Sequence, residues 1–164
     1  MKGKKGVTLI ELILSMGIMI IILSTSMMIF TLYCKKYVYT CVELEHRLDL
    51  KEAAELIENS IGQLNKDNIQ FKGKDMVLEG IDFHGKVYKI SLNGKYTSSK
   101  NVVLYYYENL GQLRRNLSGE QNVLSRNIEY IKVNEIIPSR LIRIIIGDKF
   151  QNEETRMIYI GESK

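Results

Sequence analysis

The chain has 164 residues, enough for one membrane helix and one small globular domain but too few for two independent hydrophobic cores. Its formal charge is +4, from 23 basic and 19 acidic residues. Three of the basic residues, Lys2, Lys4 and Lys5, lie in the first six residues, and without them the rest of the chain has a charge of +1. This near-neutral balance gives no evidence for a nucleic-acid-binding protein.

The first predicted element is a long apolar helix at residues 7–33. Glu11 is its only charged residue, and the other polar members are hydroxyl side chains. At a rise of ~1.5 Å per residue this helix is roughly 40 Å long, more than the ~30 Å hydrocarbon layer of a bilayer. We therefore expect a transmembrane helix, with Leu12, Gly17 and Leu23 in its apolar body. The lysines before it predict a cytoplasmic amino terminus and an exported carboxy-terminal part.

Two ordinary explanations of this segment fit poorly. A cleaved secretory signal has an apolar core of only about 7–15 residues followed by a small-residue cleavage site, and this segment is longer and has no such site after it. A simple signal anchor explains the length but not Glu11, because an ionisable group in lipid costs roughly 2.5–3.5 kcal/mol. Glu11 therefore needs a partner that neutralises it.

The segment KKGVTLIE at residues 4–11 resembles the class III leader of type IV prepilins and type II secretion pseudopilins. The resemblance implies that a prepilin peptidase cuts after Gly6 and that the new amino terminus, Val7, is N-methylated. It also implies that Glu11 pairs with the amino terminus of a neighbouring subunit during assembly, which would satisfy two charges in an apolar setting. The chain departs from the family at Val7, where Phe or Met is usual.

The same resemblance implies partners and a location. The partners are the prepilin peptidase, other pilin or pseudopilin subunits that pack through the amino-terminal helix, and a membrane assembly platform. The precursor would be a single-pass protein of the cytoplasmic membrane with an extracytoplasmic carboxy-terminal domain. The mature subunit would enter a pilus or pseudopilus at the cell surface.

After the apolar segment the pattern becomes amphipathic at residues 34–66 without an intervening proline or glycine before Gly62. The predicted packed face consists of Leu44, Leu48, Ala54, Ile57, Ile61 and Leu64. Cys34 and Cys41 lie seven residues apart, hence about 10 Å along one helix face, too far to bridge each other. Packing as small apolar residues is favoured for them, and cross-linking between subunits or lipid modification stays open.

Strand patterns follow in residues 67–164, and the connection at 108–112 predicts a hairpin. The predicted strands are Met76–Leu78, Val87–Leu92, Val102–Tyr107, Leu113–Asn116, Ile128–Val133, Leu141–Ile146 and Arg156–Ile160. We expect an α+β protein in which an antiparallel sheet packs on the amphipathic half of one long helix, the pilin fold. The predicted organisation is a leader at 1–6, a transmembrane helix at 7–33, its amphipathic continuation at 34–66 and a β domain at 67–164.

The β region is similar to that of the J-type minor pseudopilins. The similarity lies in a tyrosine-rich strand at Val103–Tyr107, a hairpin into Leu113–Asn116, the segment Val123–Val133 and a closing strand at Leu141–Ile146. Major pilins commonly place a proline in the second half of the apolar helix, whereas the only proline here is Pro138. Both observations favour a minor subunit that primes or caps a filament.

No residue pattern predicts an enzyme, a metal site or a cofactor. His46 and His84 are expected to be packed or solvated, because neither has a cysteine or carboxylate at a metal-ligand spacing. Tyr105, Tyr106 and Tyr107 are expected to alternate along a strand, with one face packed and the other exposed. Arg114 and Arg115 are expected on a solvated, edge-like strand, and the acidic residues 148–154 do not match a calcium loop.

Two alternatives to a pilus or secretion subunit remain. A competence-pseudopilus component that assists DNA uptake would share the whole leader and differ only in its partners. An uncleaved, single-pass anchored domain would have no role in a filament.

Overall fold

The computed structural model describes residues 8–65, 68–95, 101–117 and 120–161. Gly6 and Val7, which carry the predicted cleavage and methylation, lie outside the described residues. The chain forms two compact units, one ending at Val42 and the other beginning at Glu43.

The long helix α1 runs from Leu9 to Gly62 and contains 54 residues. The helix ends at Gly62, and glycine has a low helix propensity. The chain then joins the sheet at once, since the Asn65 N–H donates to the Ile81 carbonyl over 2.8 Å. The helical period of the sequence ends near residue 62, and the fold changes there from helix to sheet.

The strands that follow form two sheets. Six strands lie side by side in chain order: β1 Gln70–Lys72, β2 Val77–Ile81, β3 Val87–Ser91, β4 Val102–Tyr107, β5 Gln112–Leu117 and β6 Glu120–Ser125. A second sheet of three strands contains β7 Tyr130–Ile137, β8 Leu141–Gly147 and β9 Glu153–Tyr159. Neighbouring strands are antiparallel except for β3 and β4, which are parallel.

The predicted α+β arrangement is confirmed in its coarse form: one long helix precedes mostly antiparallel sheet. The hairpin predicted at 108–112 is present between β4 and β5, where Gly111 adopts a positive φ of 57°. The structure adds the division into two sheets, the parallel pair, and the strands β1 and β6. The more specific pilin fold stays a prediction.

The second unit has one hydrophobic core shared by α1 and both sheets. From α1 it includes Leu50, Ala53, Ala54, Ile57 and Ile61, which recur at helical spacing on one face. The predicted core positions Leu44 and Leu48 are wrong, because both side chains are exposed. The buried face of α1 in this unit begins with His46 and Leu50.

The six-stranded sheet also corrects the placement of the arginine pair. β5 lies between β4 and β6, so Arg114 and Arg115 are on an interior strand and are half-buried. The tyrosines of β4 lie in a strand as expected, but the predicted exposed face is wrong, because Tyr105 and Tyr106 are both buried and Tyr107 is half-buried. The Tyr106 hydroxyl donates to the Glu129 carbonyl over 2.8 Å, which ties this sheet to the segment leading into β7.

Candidate functional site: the exposed apolar helix

The part of α1 in the first unit exposes its large apolar side chains on every side. Exposed residues run from Leu9 through Val38 without a buried face, and Leu12 and Leu23 are among them. An 18-residue window of α1 has a mean hydropathy of 2.4 and none of it is buried. Gly17 is equally open, because a Cβ built on it would meet nothing within 4 Å. By length and composition this helix can cross a membrane.

Four hydroxyl side chains in this apolar segment are turned back onto the helix backbone. Ser15 donates to the Leu12 carbonyl over 2.8 Å and Ser24 donates to the Ile21 carbonyl over 2.9 Å. Thr25 and Thr31 make the same type of bond to carbonyls three or four residues earlier. A hydroxyl satisfied in this way needs no water, so these residues do not oppose transfer of the helix into lipid.

The first turn of α1 is closed by Thr8 and Glu11. The Thr8 backbone N–H and its hydroxyl each donate to Glu11 Oε2 over 2.9 Å, and the Glu11 N–H donates to the Thr8 hydroxyl over 3.4 Å. With Thr8 at the N-cap and Glu11 three residues later, this is a capping box. It satisfies backbone donors that a helix start otherwise leaves without partners.

The capping box gives Glu11 a function inside its own chain. A carboxylate at this position also faces the positive end of the helix dipole. Within the described residues both bonds to the carboxylate fall on Oε2, which leaves Oε1 available to a donor from another molecule. Sequence reasoning missed this role, although the Thr-x-x-Glu spacing signals it. The pairing of Glu11 with a neighbouring amino terminus stays a prediction.

Comparison of the chain with protein-family models, with curated proteins and with solved structures gives no match. Function is therefore inferred from the chain's own residues. The exposed apolar helix is the feature of the chain that most needs an external partner, because soluble domains rarely expose a contiguous apolar surface of more than a few hundred Å².

Cys34 and Cys41 are both free thiols and both exposed. The packed role favoured from the sequence is therefore not met inside the chain. Cross-linking between subunits and lipid modification stay open, because both need an accessible thiol.

In the second unit, His46 and Asp148 come together, which their separation in sequence could not indicate. His46 is 4% exposed and Asp148 is 1% exposed. His46 Nδ1 lies 3.9 Å from Asp148 Oδ2, too far for a hydrogen bond, and it has no hydrogen-bond partner among the described residues. The His46 ring instead packs edge-on against Phe150, with centroids 4.9 Å apart. This is a packed imidazole beside a buried carboxylate.

Asp148 is occupied by the loop between β8 and β9. Its Oδ1 accepts the backbone N–H groups of Phe150 and Asn152, both over 2.9 Å, and its Oδ2 accepts the Asn152 side-chain amide over 2.9 Å. These bonds explain how the Asp148 side chain can be buried, because its oxygens have hydrogen-bond donors in the loop. Asp148 is therefore a structural residue of the loop.

A groove of about 500 Å³ lies on the second unit beside this loop. Its lining residues are Leu44, Arg47, Leu48, Leu50, Lys51, Gln151, Asn152, Glu153 and Glu154. Two basic and two acidic side chains line it, so its charge selects neither anions nor cations. Among the described residues, no group of three or more His, Cys, Asp or Glu side chains is placed to hold a metal ion.

Proposed function

We propose that the protein is a minor pilin or pseudopilin subunit that primes or caps a type IV pilus or a type II secretion-like filament. It is made as a precursor in the cytoplasmic membrane, cut after Gly6 by a prepilin peptidase and N-methylated at Val7. It is a substrate of that enzyme and has no catalytic activity of its own.

The observation that carries this proposal is the fully exposed apolar surface of α1, which begins at Leu9. A membrane covers such a surface while the subunit is a precursor, and the helices of other subunits cover it in a filament. The internally bonded hydroxyls suit both settings, because lipid and packed helices are equally dry.

The start of α1 fits a cut after Gly6. Thr8 would become the second residue of the mature chain, and its capping box with Glu11 would hold the helix start in place beside the new amino terminus. Oε1 of Glu11 accepts no hydrogen bond from the described residues, which supports charge pairing with the amino terminus of another subunit. A buried carboxylate and a buried amine are tolerated together when each neutralises the other.

A second candidate is an uncleaved, single-pass anchored domain with no filament role. The capping box favours it, because Glu11 already has hydrogen-bond donors in its own chain and does not require a neighbouring subunit. Under this alternative the acidic residue only starts the helix.

Mass spectrometry of the amino terminus distinguishes the two. The full chain is expressed in cells with and without a prepilin peptidase, purified in detergent and analysed as an intact protein. We expect loss of residues 1–6 and one added methyl group on Val7 only when the enzyme is present. An intact amino terminus under both conditions would support the anchored domain instead.

Filament membership needs a separate measurement. Sheared surface filaments from a strain that assembles them are collected and probed for the tagged chain. We expect the mature chain in that fraction at low copy number relative to the major subunit. Its absence from filaments, together with normal processing, would reject the structural role.

A further inference from the structure

Three tyrosines and two lysines lie at the end of the apolar segment of α1, within residues 33–39. Tyr33, Tyr37 and Tyr39 are 70%, 71% and 57% exposed, and Lys35 and Lys36 lie among them. Neither lysine takes part in an ion pair among the described residues. We call these five residues, Tyr33, Lys35, Lys36, Tyr37 and Tyr39, the collar.

The collar occupies more than one face of the helix. At about 100° per residue, Tyr33 and Tyr37 lie on one side of α1, Tyr39 and Lys35 lie on the opposite side, and Lys36 lies between them. Aromatic residues that pack against a domain would share one face. Exposed tyrosines at one level on two sides of a helix fit a planar boundary that the helix passes through, such as a membrane interface.

Distances along α1 place the collar at such a boundary. From Glu11 to Tyr33 the helix rises roughly 33 Å at ~1.5 Å per residue, close to the ~30 Å hydrocarbon thickness of a bilayer. When Tyr33 is at one interface, Glu11 is at the other. The carboxylate then avoids the hydrocarbon centre, where the cost of a charge is largest.

The residues of the collar match the chemistry of a lipid headgroup layer. Tyrosine places an apolar ring at the level of the acyl-chain ends and a hydroxyl in the polar region. Lys35 and Lys36, which form no ion pair in the part of the chain that the structure describes, can attract anionic phosphates. From Tyr33 to Tyr39 the collar is roughly 9 Å long, similar to the roughly 5–8 Å of headgroups on each side of a bilayer.

We propose that the collar is a binding site for anionic phospholipid headgroups at the membrane interface opposite Glu11. Lys35 and Lys36 bind the phosphates, and the three tyrosines fix the depth of the helix. This inference rests on the membrane phase of the proposed function and adds a ligand to it. The collar would hold the precursor at a defined height until the helix leaves the lipid.

The chain contains no tryptophan, which makes single tryptophan reporters possible. Tyr37→Trp places a reporter in the collar and conserves an interfacial aromatic residue, and Ile22→Trp places one near the middle of the apolar segment. Each full-length variant is reconstituted in phosphatidylcholine–phosphatidylglycerol vesicles in which either lipid carries brominated acyl chains. Bromine quenches tryptophan emission on contact, so the ratio of quenching reports which lipid surrounds the reporter.

We expect brominated phosphatidylglycerol to quench Tyr37→Trp more strongly than brominated phosphatidylcholine, with enrichment of up to about fivefold per lysine at low salt. High salt should reduce the difference. Lys35→Gln with Lys36→Gln should remove the preference. The matched control, Lys74→Gln with Lys86→Gln, removes two exposed lysines of the second unit and should leave the preference unchanged.

Equal quenching by the two lipids, or a preference that survives loss of Lys35 and Lys36, would overturn the collar as a lipid site. In that result Ile22→Trp would still be quenched, and the membrane helix would stand. If Ile22→Trp is not quenched by either lipid, the helix is not in the bilayer, and the membrane phase of the proposed function fails together with the collar.

Discussion

Thr8 donates two hydrogen bonds to one carboxylate oxygen of Glu11, from its backbone N–H and from its hydroxyl, and both are 2.9 Å long. A glutamine at position 11 can accept both bonds through its amide oxygen, but it carries no charge. The capping role and the charge-pairing role of Glu11 are therefore separable in two variants.

We predict that Glu11→Gln keeps the helix start but strongly reduces incorporation into filaments, because the amino terminus of the neighbouring subunit loses its counter-charge. Glu11→Ala should lose both roles, with a capping loss of about 1 kcal/mol. Circular dichroism in detergent measures helix content, and immunoblots of sheared filaments measure incorporation. If Glu11→Gln enters filaments as wild type does, the carboxylate acts only as a cap.

The predicted leader at residues 1–6 contains Gly3 and Gly6, and only Gly6 is directly before the predicted cut. We predict that Gly6→Ala blocks removal of residues 1–6, because the resemblance to class III leaders implies that the peptidase requires glycine itself at the cleaved bond. Gly3→Ala, the matched control in the same leader, should be processed normally. Intact-mass measurement reads both outcomes, and normal processing of Gly6→Ala would place the cut elsewhere.

Sequence reasoning succeeded where one period dominates. The apolar segment and the packed positions Ala54, Ile57 and Ile61 follow from helical spacing, and seven strands have the predicted approximate locations. It failed at Leu44 and Leu48, which continue the helical pattern but are exposed. Periodicity identifies an apolar face, but it does not show where along a helix the covering sheet begins.

Contacts between residues that are far apart in the chain could not be predicted from the sequence either. His46 and Asp148 are about a hundred residues apart, and no local pattern indicates that they meet. The parallel pairing of β3 with β4 likewise depends on the connection between strands, since strand periodicity is the same for parallel and antiparallel neighbours. By contrast, the Thr8–Glu11 capping box is a local feature that the Thr-x-x-Glu spacing predicts, whereas the family resemblance implies only charge pairing for Glu11.

Gly147 lies directly across from Tyr130 in the β7–β8 pair. A Cβ built on Gly147 would overlap the Tyr130 ring, and the Tyr130 hydroxyl donates to Glu153 on the next strand. We predict that Gly147→Ala displaces the ring and lowers the free energy of unfolding by about 1–3 kcal/mol. Urea unfolding of the full chain in detergent micelles measures the loss.

A double variant tests whether the ring causes this loss. Gly147→Ala combined with Tyr130→Ala should be less destabilised than the sum of the single changes, because the overlap no longer exists. Gly62→Ala is the matched control, since a Cβ there meets nothing within 4 Å. Simple additivity of the two single changes would show that the loss has another cause.

Asp148 orders the loop between β8 and β9 through three accepted hydrogen bonds. We predict that Asp148→Ala costs about 3 kcal/mol of unfolding free energy, because three part-buried loop donors lose their acceptor. Asp148→Asn keeps an acceptor oxygen for the Phe150 and Asn152 N–H groups and should cost less. Equal losses for the two variants would indicate that the charge of Asp148, rather than its hydrogen bonds, stabilises the loop.

Burial raises the pKa of Tyr106 to about 12 from its ordinary value of 10.0, helped by the nearby charges of Glu108 and Glu129. The neutral phenol is thus favoured in the folded state, so its stabilisation is complete below pH 10 and is lost as the pH rises toward 12. We predict that wild type loses about 2–3 kcal/mol of unfolding free energy in this window through Tyr106.

Tyr106→Phe should start about 1 kcal/mol less stable at neutral pH, because the bond to the Glu129 carbonyl is gone, but decline less steeply. Urea unfolding in micelles at stepped pH measures both curves, with exposed Tyr159→Phe as the control that should follow wild type. Parallel curves for wild type and Tyr106→Phe would show that another group governs the alkaline loss.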